Sequence, residues 1–106
     1  ASARKNLRAI VEQLRTINPT SAIRMIGLYN PFEVLPSAEP QVRAQLLDWN
    51  QAIETATHPF RDVLAIPVAD IFANRPDRLA GDQFHPGPRG HALIAERVLS
   101  TLEDRD

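Results

Sequence analysis

The chain has 106 residues, 43% of them hydrophobic and 24% charged, with 12 Lys and Arg against 13 Asp and Glu. That balance excludes an intrinsically disordered chain and the basic footprint of a nucleic-acid binder. No apolar run approaches the ~20 residues of a membrane span, and the lack of cysteine excludes disulfides and thiolate metal sites.

The spacing of Leu7, Ile10, Val11, Leu14 and Ile17 predicts an amphipathic helix over 4–17, stopped at Asn18-Pro19. Arg4, Lys5, Arg8 and Arg15 read as its solvated face rather than as a phosphate groove. Residues 22–29 form a short apolar run that fits a strand covered on both faces, with Arg24 as its polar intrusion. Three prolines mark 30–40 as a loop, and Pro40 suits the first turn of the next helix. That helix is predicted over 40–57 from the stripe Val42, Leu46, Trp49, Ile53 and Ala56. A second buried strand is predicted over 63–69, although Pro67 cannot donate to a ladder. Asp70 to Arg78 reads as loop with room for one helical turn. Residues 81–90 are dense in turn formers, and a last helix is predicted from Pro88 to Leu102.

Strand, helix and strand joined this way imply a parallel pair in an α/β fold. Two strands alone leave two open edges and little sheet for three helices to cover. The expectation is therefore the last part of a larger α/β sheet, completed by a preceding segment or by another chain. A start at Ala1 rather than Met agrees with a chain cut from something longer.

Parallel α/β sheets bind ligands beyond the carboxyl ends of their strands. The loops leaving those ends are 30–40 and 70–90, and the second holds Asp82-Gln83-Phe84-His85-Pro86. An Asp three residues before a His can fold back and accept the imidazole Nδ1 proton, freeing Nε2 as a base. The alternative is a turn capped by Asp82 with His85 solvated. A metal site at Asp82, His85 and His91 fits no strong zinc spacing, and His91 reads as a local contact in the first turn of the last helix. His58 reads as a surface residue. Asp70 is either a cap or a polar group near His85. Tyr29, Asn30 and Phe32 either line a substrate pocket or, as with Phe32 and Val34, anchor the loop. Trp49 reads as core.

At these residues the chain resembles a known family. D-x-F-H-P-x-x-x-G-H at 82–91, followed by ALIAERVLSTL, is similar to the C-terminal signature of the SGNH, or GDSL-type, serine hydrolases. NLRAIVEQLRTINPTSAIRMIGLYNPF, the Trp49-Asn50 pair and VLAIPVADIF extend the resemblance from Asn6 to Leu102. It implies the C-terminal part of a three-layer α/β/α, flavodoxin-like parallel sheet. It also implies that Asp82 is the acid and His85 the general base of a Ser-His-Asp triad acting on esters without a cofactor. The family's serine lies in a G-D-S motif and its oxyanion asparagine in G-x-N-D. Ser2, Ser21, Ser37 and Ser100 lie in no such setting, and Asn30 lies in Y-N-P. The resemblance thus implies an Asp-His half-site whose nucleophile lies outside this chain, which alone is expected to be inactive. Family members outside the cytoplasm make an extracytoplasmic location compatible. A non-catalytic α/β binding module is the competing class.

Overall fold

The computed structural model describes residues 2–31 and 39–103. Its elements are α1 (Ser2–Ile17), β1 (Ile23–Ile26), α2 (Glu39–Thr57), β2 (Val63–Ile66), a single turn α3 (Ala69–Phe72), a 3₁₀ turn (Pro76–Arg78) and α4 (Pro88–Glu103). Among the described residues, β1 and β2 form a parallel two-stranded sheet, with Ile23 opposite Val63 and Ile26 opposite Ile66.

The helices fall within two residues of expectation, but both strands are shorter. The last ladder bond runs from the Gly27 N–H to the Ile66 carbonyl at 2.9 Å. Beyond it the Asn50 side chain replaces a neighbouring strand. Its Oδ1 accepts the Leu28 N–H at 2.8 Å and its Nδ2 donates to the Leu28 carbonyl at 3.0 Å. β2 stops where Pro67 has no N–H to give.

Side chains alternate across a strand, and the core divides accordingly. Ile23, Met25, Val63 and Ala65 pack with Leu7 and Val11 of α1 and with Ala52, Ile53 and Ala56 of α2. Trp49 joins this cluster, as its stripe predicts. Ile66 instead packs with Val68, Ile71 and Phe72, against Leu93, Ile94 and Val98 of α4.

The expected burial of β1 on both faces does not hold. Its first three residues are half-buried and Ile26 is 48% exposed. On α1 only Leu7 and Val11 are buried, while Ile10, Leu14 and Ile17 point outward. Arg15 is no solvated charge either. Its guanidinium donates to the carbonyls of Asn18, Ser21 and Arg61, each at 2.8 Å, and ties the end of α1 to the loops entering β1 and β2.

The turn-rich segment before α4 closes on itself. Leu79 and Pro86 form an isolated antiparallel bridge, and the Ala80 N–H donates to the His85 carbonyl at 2.7 Å. Two glycines let α4 approach. A Cβ on Gly87 would lie 2.8 Å from the Leu79 carbonyl oxygen. One on Gly90 would lie 2.5 Å from the Arg78 oxygen and 2.7 Å from the Phe72 ring. Neither close approach leaves room for any larger residue.

Candidate active site

Asp82 organises the loop with both carboxylate oxygens. Oδ1 accepts the backbone N–H groups of Phe84 at 2.9 Å and of His85 at 3.0 Å. Oδ2 lies 2.5 Å from His85 Nδ1. Gln83, between them, takes a left-handed φ of 57°, which turns the chain tightly enough for the three-residue return.

These three donors explain the acidity of Asp82. The imidazole bond first, then the two backbone N–H groups, lower its pKa to about 2. At neutral pH the carboxylate is ionised and can only accept, so the proton between the two residues sits on Nδ1. Neutral His85 is thereby held in the tautomer whose Nε2 carries a lone pair. The ring is 71% exposed and Asp82 49% exposed. The Phe84 ring stands edge-on to the imidazole at 5.1 Å between centroids.

Tyr29, leaving β1, reaches this loop across 55 residues of sequence. Its hydroxyl donates to the Phe84 carbonyl at 2.6 Å. Its ring lies on the Phe72 ring, centroids 4.2 Å apart and planes 30° apart. Burial, and then the nearby negative charge of Asp82, raise its pKa above the ordinary phenol value.

The other expected site residues fare differently. Asn30 is half-buried just past Tyr29, at the same end of the sheet. Phe32, with Val34 and Ser37, lies outside the described residues. Asp70 sits in the first turn of α3 and is engaged elsewhere. Arg97 of α4 grips it at 2.6 and 2.9 Å and donates also to the Pro67 carbonyl at 2.8 Å. That bond holds the Asp70 carboxyl below its usual range. His91 lies in the first turn of α4, where its N–H donates to the Gly87 carbonyl at 2.9 Å. Among the described residues, no three His, Asp or Glu side chains gather as a metal site would require. Ser21 is exposed just before β1, and the Ser100 hydroxyl donates to the Arg97 carbonyl.

Sequence reading missed what Asn50 does. Its only signal was the Trp49-Asn50 pair, where a polar residue follows a core aromatic at the strand end of a helix. It also missed the Arg97 grip on Asp70, which joins residues 27 apart without a motif.

An α/β fold with parallel strands and an Asp-His turn at their carboxyl end defines the class. A family model described as the GDSL-like Lipase/Acylhydrolase family matches residues 1–93, and the chain belongs to that family. A curated relative from Bacillus subtilis (strain 168), named as uncharacterized protein YpmR, is 26% identical over 102 residues. The match covers 93% of this chain and 40% of the relative, so the chain spans about two fifths of that protein's length.

Proposed function

We propose that residues 1–106 are the C-terminal portion of a single SGNH-type hydrolase domain, supplying Asp82 and His85 to a Ser-His-Asp triad that cleaves carboxylic esters. The observation that carries this reading is the Asp82 carboxylate, placed 2.5 Å from His85 Nδ1 and fixed by two backbone donors. The match to 40% of the relative's length supports a larger domain. So do the exposed Ile10, Leu14, Ile17 and Ile26, an apolar surface suited to cover by further sheet and helix of a three-layer α/β/α fold.

In the completed enzyme a serine hydroxyl from outside this chain attacks the ester carbonyl. His85 Nε2 takes the hydroxyl proton as the C–O bond to the carbonyl forms. Asp82 stabilises the resulting imidazolium without taking its proton. His85 then returns the proton to the leaving alcohol as the ester bond breaks. A water molecule, deprotonated by the same nitrogen, hydrolyses the acyl-enzyme and regenerates the serine. Asn30, just past Tyr29 at the end of β1, is a candidate pocket residue, and Asp70, paired with Arg97, is a second one.

Hydrolysis of a p-nitrophenyl ester tests the reading. The full-length protein is expected to turn the ester over and the 106-residue chain is not, and His85→Ala in the full-length protein is expected to lower kcat by about 10³-fold or more. Turnover by the isolated chain, or an unaltered rate in the variant, defeats it.

A further inference from the structure

We propose that Tyr29 is a positioning residue for His85, acting through the Phe84 carbonyl, and that Asn50 positions Tyr29 in turn by fixing the backbone of Leu28. The inference rests on the reading of His85 as the base.

The argument turns on one peptide unit. The Phe84 carbonyl and the His85 N–H belong to the same planar group. The N–H is held by Asp82 Oδ1 at 3.0 Å and the carbonyl by the Tyr29 hydroxyl at 2.6 Å. With both ends held, the plane cannot rock, and the Cα of His85 leaves it in a set direction. Asp82 alone would leave the plane pivoting on one bond in a loop whose residues 81–85 are all exposed. Asp82 and His85 would then swing, loosening the Oδ2–Nδ1 contact and losing their aim at a nucleophile.

Tyr29 can serve as a fixed post because it is itself held twice. Its ring stacks on Phe72, which is buried in the core. The preceding residue, Leu28, has both its N–H and its carbonyl bonded to the Asn50 amide. Gly27 keeps that clamp close, since a Cβ there would come within 2.8 Å of Asn50 Oδ1. A continuous set of contacts therefore runs from α2 through Asn50, Leu28, Tyr29 and Phe84 to His85. The tyrosine hydroxyl, spent on the loop, acts on aim rather than on substrate.

The test uses the full-length protein. Tyr29→Phe keeps the ring on Phe72 and removes only the hydroxyl. It is expected to lower kcat about tenfold while KM stays within about twofold. Asn50→Ala is expected to act in the same direction. The ¹⁵N resonances of the His85 imidazole are expected to move from a single Nδ1–H tautomer in the parent toward a mixture in Tyr29→Phe. A raised KM at unchanged kcat would make Tyr29 a pocket wall and overturn the proposal. So would a lowered melting temperature with kcat and imidazole signals unmoved. If the parent hydrolyses no ester but the imidazole signals still shift in Tyr29→Phe, the positioning stands and the esterase reading falls.

Discussion

The two ends of the parallel sheet are held by different chemistry. At the end where the strands begin, charge does the holding. The Arg24 side chain, 7% exposed, donates to the Asp62 carboxylate at 2.9 Å and to the Asp62 carbonyl at 2.8 Å. It also donates to the Thr101 hydroxyl at 2.9 Å, which brings in α4, and Arg15 adds its three carbonyls. At the end where the strands finish, Arg97 and Asp70 pair beside Pro67, but the contacts behind the Asp-His loop are neutral, from Asn50 through Leu28 and from Tyr29, and the charge in the loop itself is the exposed Asp82. A buried guanidinium that satisfies several acceptors binds elements together, and an exposed carboxylate beside an imidazole is free to work.

If the ends divide labour in this way, substitutions at each should separate activity from stability. The largest effect belongs to the finishing end. Asp82→Asn in the full-length protein should lower ester turnover by about 10³-fold, because an amide no longer enforces the Nδ1–H tautomer or balances the imidazolium. Its melting temperature should fall only slightly, by the small contribution that an exposed carboxylate makes to the fold. Retention of activity within about tenfold would break the comparison.

The starting end should behave in reverse. Arg24→Ala leaves Asp62 and Thr101 without their shared donor and should cost about 2 kcal/mol of stability by denaturant unfolding. Turnover per folded molecule should not change. A loss of kcat with stability intact would show that the two ends are not independent.

Acid gives the smallest and most graded effect. Asp82 is held at about 2, and Asp70 and Asp77 are lowered by Arg97 and Arg75. An unfolded carboxylate titrates near 3.9. These depressed groups therefore stabilise the fold above about pH 4, and the contribution drains away as pH falls toward 2. A melting-temperature profile by circular dichroism should decline across that window, and less steeply in Asp82→Asn. Identical slopes would mean the carboxylate gains nothing from its loop.

The legible parts of this molecule are the periodic and the local ones. The stripe on α2 was readable because core contact repeats every turn, and the Asp-His turn because three residues contain it. Strand ends were not readable. Residues 22–29 are apolar apart from Arg24, but pairing stops at Gly27, where an asparagine from another element takes over the bonds. α1 misled for a related reason. Its stripe is genuine, yet Ile10, Leu14 and Ile17 face outward, since a pattern records what a surface is suited to meet and not what it meets. Arg24 looked like an intrusion in an apolar run because its partners lie 38 and 77 positions away.

The closed loop carries one more consequence, for the order in which the chain acquires its parts. Asp82 and His85 meet across three residues, and the Ala80–His85 bond shuts a ring of six. Closing so short a segment costs little chain entropy, so the acid–base contact can form before the sheet exists. The tyrosine post joins it from 55 residues away and must await the pairing of β1 with β2 and the docking of Phe72. The Asp-His contact is thus encoded locally, and its tie to the rest of the fold is encoded at long range.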